Sequence, residues 1–177
     1  MVYPLADSPA HTIRPFLGPA DTVREMIKAA KGPRGEQSIL VNSLRNTIVR
    51  DIWPKDYLGE MLAVRNFAIE RIRYTNDALG VEQVQDPERI TEQIVKYGRA
   101  AGDCDDLATW IAALCRQLGR DTQFVIVGFD KPGHFSHVFA RAKEPKSGQW
   151  IVLDPVAGTN EGSMLRRVTT YQIHPLD

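Results

Sequence analysis

Cys104 stands in the stretch Gly102-Asp103-Cys104-Asp105-Asp106-Leu107-Ala108, where a turn gives way to an amphipathic helix. Downstream, His137 and Asp154 each fall at a position that reads as β-strand. A thiol alone attacks carbonyls slowly at neutral pH. Paired with an imidazole that a carboxylate holds in place, it becomes a strong nucleophile. A helix-opening Cys, a strand His and a strand-end Asp are therefore the layout of a nucleophile, its base and the group that orients the base.

The position of the thiol cuts both ways. With Asp103 as N-cap, Cys104 lies in the first helical turn, where the helix dipole and unpaired N–H groups favour an anion and offer donors to an oxyanion. Asp105 and Asp106 in the same turn stabilise the helix but oppose a thiolate beside them. An imidazolium is needed, so the argument depends on His137.

Of the four histidines, His11 lies in the N-terminal arm and His174 in the C-terminal tail. His134 sits at the turn after Pro132-Gly133. His137 lies within Phe135-Ser136-His137-Val138-Phe139, where strand alternation fixes its direction. Its rival role is that of an ordinary structural histidine. Asp154 ends Trp150-Ile151-Val152-Leu153-Asp154-Pro155, and its rival role is an Asp-Pro turn. His134 in place of His137 would change the assignment.

Asp103, Asp105 and Asp106, with His134 or His137, also invite a cation reading. Neighbouring residues on a helix point about 100° apart, and no second cysteine has ligand spacing, so neither a metal nor a cofactor is expected. The other cysteine, Cys115, lies 11 residues along the same helix, roughly 16 Å away. A disulfide needs Cα atoms within about 7 Å, so Cys115 is expected as a buried thiol.

The elements that must position these residues follow from periodicity. Residues 1–19 carry Pro4, Pro9, Pro15, Gly18 and Pro19 and read as an extended arm without regular structure. Helices are expected over 21–31, 39–52, 56–74, from Asp86-Pro87 to Tyr97, and over 104–118, where Leu107, Ile111, Leu114 and Leu118 form one stripe. Residues 74–84, with Gly80, read as a loop.

Three strands, over 122–129, 135–142 and 149–154, are rich in Val, Ile, Phe and Trp and read as an antiparallel meander. A loop-rich C-terminus, with Gly158 and Gly162, follows and carries a short strand over 167–173. Helices first and strands second argue an α+β fold. The expected organisation is an arm over 1–19 and one domain over 20–177, with a helical part (20–118) and a β part (119–177).

Composition excludes other classes. The chain has 177 residues, 43% apolar and 25% charged, with 22 basic against 22 acidic residues. That balance is unlike a nucleic-acid-binding surface. No apolar run reaches about 18 residues, so no membrane span is expected. The N-terminus lacks the apolar core of a secretory signal, which makes a cytoplasmic location the default.

The three blocks Gly102 to Ala108, Ser136-His137-Val138-Phe139 and Trp150 to Pro155 resemble the signature blocks of the transglutaminase-like cysteine-peptidase superfamily. So do the spacings of 33 residues from Cys104 to His137 and 17 from His137 to Asp154. Ile72-Arg73-Tyr74 and residues 82–87 resemble bacterial and phage members.

The resemblance implies a papain-like α+β core with Cys104 as nucleophile, His137 as general base and acid, and Asp154 as orienter. It implies a peptide or protein substrate for a cysteine-dependent amide hydrolase. Protein-crosslinking members carry Gln before and Trp after the cysteine, whereas this chain has Asp103 and Asp105, which favours hydrolysis over acyl transfer. The Cys104 N–H is one expected oxyanion donor. Tyr97, by position, is the candidate for the second, with packing at a helix end as its other role. A rival from another class is a non-catalytic structural protein, with virion or assembly partners and a virion location, that keeps the fold.

Overall fold

A computed structural model describes residues 10–13, 18–77, 82–156 and 167–177. Five helices come first: α1 (Pro19–Lys31), α2 (Ile39–Val49), α3 (Tyr57–Arg71), α4 (Pro87–Tyr97) and α5 (Cys104–Gln117). Local chemistry sets their ends. Pro19 opens α1 where its missing N–H would be unpaired anyway. The Ser38 hydroxyl accepts the Val41 N–H at 3.3 Å to cap α2, and the Asp56 carboxylate accepts the Gly59 N–H at 2.9 Å to cap α3. Gly98 ends α4 with a left-handed φ of 75°.

The strands β5 (Thr122–Gly128), β6 (His137–Lys143), β7 (Trp150–Leu153) and β8 (Thr170–Pro175) form an antiparallel sheet in the order β7-β6-β5-β8. The expected meander is its β5-β6-β7 part, and the C-terminal strand joins β5 on the other side. The α+β class and the papain-like order, helices before an antiparallel sheet, therefore hold.

Helix α5 is the centre of the core. It packs on β5 and β6 and touches α1, α2, α3 and α4. Every residue from Asp105 to Cys115 is buried, although the sequence predicts one apolar stripe. A helix buried all round is one with neighbours on every side. Ala108, Ala112 and Ala113 let those neighbours approach closely. Trp110 is fully buried, and its Nε1 donates to Thr91 Oγ1 at 3.1 Å, whereas Trp53 is exposed. Cys104 and Cys115 are both free thiols, and burial pushes Cys115 up to about 12.

Three expectations change. The helix expected over 56–74 stops at Arg71, and the chain becomes β2 (Ile72–Tyr74), paired in parallel with β4 (Ala100–Gly102). A β-branched and an aromatic residue suit a strand, and the distant partner strand decides the matter. The arm contains β1 (Ala10–Ile13), antiparallel to β3 (Glu82–Gln85), where a loop was expected. Both pairs join segments far apart in sequence, which periodicity does not reveal. Gly80, Gly158 and Gly162 lie outside the described residues. Among the described residues no helix is long and apolar enough to cross a membrane.

Candidate active site

Three strand or helix ends meet at Cys104. Asp103 is the N-cap of α5, and it forms a reciprocal capping box with Asp106. The Asp106 N–H donates to Asp103 Oδ1 at 3.5 Å, and the Asp103 N–H to Asp106 Oδ2 at 3.4 Å. Cys104 is thus held on the first turn, half-buried, with its N–H among those that have no intrahelical acceptor.

His137 opens β6 opposite Val127 of β5, and the Ser136 N–H donates to the Val127 carbonyl at 2.9 Å. Its ring is mostly buried. Nε2 lies 2.7 Å from Asp154 Oδ2 and donates to it, which leaves Nδ1 as the nitrogen available to the neighbouring Cys104 thiol. Burial opposes a charge on the imidazole, but the hydrogen bonds and charges of Asp154 and Cys104 outweigh it. Together they raise His137 from 6.5 to about 9.

Asp154 follows the last residue of β7 and is 4% exposed. Its Oδ1 accepts the Val156 N–H at 2.9 Å, so the turn into Pro155 and Val156 fixes the carboxylate's orientation. Its backbone carbonyl accepts Arg65 Nε from α3 at 2.9 Å, which ties the sheet's end to the helical layer. Asp154 therefore accepts from the turn with one oxygen and from His137 with the other.

The remaining sequence candidates lie on other elements. His134 is exposed in the loop between β5 and β6, and its carbonyl occupies the space a Cβ on Gly128 would fill, at 1.8 Å. His174 lies in β8 opposite Phe124, and His11 in β1 opposite Val84. Tyr97 closes α4 with Lys96 Nζ 5.3 Å above its ring. Tyr74, at the end of β2, lies near the Cys104 thiol; burial, then the charge of Cys104, raises its phenol to about 12.

The acids beside Cys104 are not a solvated face. Asp105 and Asp106 are 3% and 1% exposed. Asp106 accepts Gln85 N and Gln85 Nε2, each at 2.6 Å. Burial, then the charge of Asp103, raises it from 3.8 to about 7. No protein donor reaches the two Asp105 oxygens. The Asp103 carboxylate beside it can bond it only through a shared proton, and burial together with that proton raises Asp105 well above the ordinary carboxylate range.

One oxygen from each of Asp103, Asp105 and Asp106 lies within 4.8 Å of the others, despite the divergence expected of helix neighbours. Asp103, just outside the helix, closes the triangle. Among the described residues these three are the group that could hold a cation, and doing so would require Asp105 and Asp106 to give up the protons that burial favours.

Three residues that matter here escaped the sequence reading: Tyr74, Gln85 and Arg65. Tyr74 lies within the Ile72-Arg73-Tyr74 resemblance, the one local signal it carried. The other two act through partners from distant segments, and nothing local marks them.

The profile of the transglutaminase-like superfamily matches residues 46–155, a span that contains Tyr74, Cys104, His137 and Asp154. No curated protein matches the chain. Two solved structures are similar in fold. One is a candidate cysteine protease from Cytophaga hutchinsonii, at 18% identity and a TM-score of 0.53, over 86% of this chain and 56% of that one. The other is a candidate protease from Parabacteroides distasonis, at 11% identity and a TM-score of 0.55, over 88% of this chain and 29% of that one. The chain spans little more than half of the first and under a third of the second.

Proposed function

The chain belongs to the transglutaminase-like superfamily, and on that premise we propose that it is a cysteine-dependent hydrolase of peptide or isopeptide amides, with Cys104, His137 and Asp154 as its catalytic residues. The observation that carries the reading is His137 bonded to Asp154 Oδ2 at 2.7 Å with the Cys104 thiol as its neighbour. An imidazolium beside sulfur is the group that sustains a thiolate at neutral pH.

The chemistry runs in two halves. Cys104 Sγ attacks the carbonyl carbon, and the C=O electron pair moves to oxygen, where the free N–H groups of the first α5 turn face the charge. His137 gives its Nδ1 proton to the departing amine, the C–N bond breaks, and a thioester remains on Cys104. His137, now neutral, takes a proton from water as it attacks the thioester. The tetrahedral adduct collapses, the C–S bond breaks, the acid leaves, and Cys104 and His137 return to their starting state. Throughout, Asp154 holds Nε2–H, so Nδ1 is the nitrogen that exchanges protons. Asp103 and Asp105, where crosslinking members carry Gln and Trp, support water over an amine as the acyl acceptor.

Iodoacetamide labelling followed by mass spectrometry tests the reading. Cys104 is expected to alkylate far faster than Cys115, which is fully buried and has a raised thiol. Equal, sluggish labelling of both cysteines would overturn it.

A further inference from the structure

The sheet stops one residue short of Asp154. The β6–β7 ladder ends with Ala140 opposite Leu153, so sheet pairing does not set the backbone that carries the carboxylate. Pro155 follows and has no N–H to contribute. Asp154 is nevertheless 4% exposed, and a carbonyl on so buried a residue needs a donor.

That donor comes from the helical layer. Arg65 lies 89 residues earlier, within α3, and its Nε donates to the Asp154 carbonyl at 2.9 Å. All three oxygens of Asp154 are then satisfied. The carbonyl takes Arg65, Oδ1 takes the Val156 N–H at 2.9 Å, and Oδ2 takes His137 Nε2 at 2.7 Å. The Val156 bond is local and moves with the turn. The Arg65 bond ties the strand end to a helix whose Met61, Val64 and Ala68 are fully buried, and such a helix cannot follow a strand end that drifts.

Resting on the hydrolase reading, we propose that Arg65 is a positioning residue for the reaction: by holding the Asp154 carbonyl it keeps Oδ2 on His137 Nε2, and so keeps Nδ1 turned to Cys104. Arg65 acts through Asp154 and meets neither substrate nor sulfur. A swing of about 1 Å at the strand end would take the 2.7 Å bond out of hydrogen-bonding range. The imidazole would then lose both its orientation and the partner that favours its charge. The guanidinium's own charge works the other way, since a cation near an imidazolium disfavours it. Loss of aim therefore lowers the titration of His137, whereas loss of charge alone would raise it.

Two variants of the full chain separate aim from charge. Gln carries its amide nitrogen on the carbon that bears Nε in Arg, so Arg65→Gln keeps a donor in place and discards the charge. Arg65→Met keeps the length and discards the donor. Arg65→Met is expected to slow iodoacetamide labelling of Cys104 by about 10-fold at neutral pH. It should also move the NMR titration of His137 down from about 9, and Arg65→Gln should restore both. A lower melting temperature in Arg65→Met with a wild-type His137 titration would mean that Arg65 only supports the fold, and would overturn its role. So would Arg65→Gln falling as far as Arg65→Met. Should Arg65→Met not fold, Arg65→Lys is the substitute. It keeps the charge but carries its nitrogen one atom further out, so His137 should shift down there too, and an unmoved titration would overturn the role. These failures leave the hydrolase reading standing. A wild-type Cys104 that labels no faster than Cys115 would overturn that reading and the role of Arg65 with it.

Discussion

Two groups of buried ionisable side chains flank Cys104, and both hold protons, for opposite reasons. On the sheet side, His137 and Asp154 are unlike charges. Burial opposes the imidazolium, but its partners outweigh burial and His137 rises to about 9. On the helix side, Asp103, Asp105 and Asp106 are like charges. There burial and neighbours push together, and Asp106 rises to about 7. Burial alone does not decide whether a group is charged; the sign of what is buried with it does. One proton sits on the imidazole and, in the proposed reaction, leaves with the amine. The others are locked among carboxylates and backbone donors at a helix end.

The largest way to break this contrast is to remove the base. His137→Ala is expected to slow Cys104 alkylation at neutral pH by about 10³-fold, read by mass spectrometry with Cys115 as the internal control. An unchanged rate would mean the sulfur is activated from the helix side instead. Asp154→Asn is the next in size, with a loss of about 10²-fold. The same change removes the hydrogen bond and charge that raise His137, so NMR titration of its ring should move down from about 9 towards 6.5.

On the acidic side the effects are on stability. Gly102→Ala would place a Cβ 2.7 Å from Asp106 Oδ2 and 2.8 Å from Asp106 Cβ. Because the near atoms include the base of a buried side chain, relief requires the α5 cap to shift. The expected cost is about 1–3 kcal/mol in urea unfolding.

The smallest effect sharpens the contrast through pH. Asp106 rises from 3.8 to about 7 on folding, so between those values the fold binds a proton that the unfolded chain has released, and stability falls as pH rises. The gain from His137 is complete below 6.5 and is lost as pH passes about 9. The wild-type melting temperature should therefore decline across this whole range. In Asp105→Asn, which removes a buried carboxylate but keeps a donor towards Asp103, the decline above the ordinary carboxylate range should be shallower. An identical slope would show that Asp105 carries no excess proton.

Much of the architecture could be read from local signals. Asp86-Pro87 and Asp56 announce helix starts, and the Val-, Ile- and Phe-rich runs after Gly119 announce the sheet. The blocks around Cys104, His137 and Asp154 lie at such boundaries, where capping and alternation fix side-chain direction. The surroundings of Cys104 were harder. Whether Asp105 and Asp106 face water or core depends on Gln85, delivered by β3, and on the packing of every face of α5. Tyr74 comes near the thiol only because β2 pairs with β4 in parallel. Such pairings are contacts between distant segments, and a periodic pattern of 2 or 3.6 residues carries no record of them.

The bond from Arg65 to the Asp154 carbonyl has a further consequence, for the order in which the molecule is made. The thiol emerges from the ribosome with the helices, while its imidazole and carboxylate come from strands synthesised later. Until residue 154 has been added and its strand end has been clasped by α3, Cys104 is a bare thiol among acids, with no base to act on it. Under the proposed roles, a growing or half-folded chain carries only an unassisted, slow thiol, and the assisted one belongs to the fold that has closed around it.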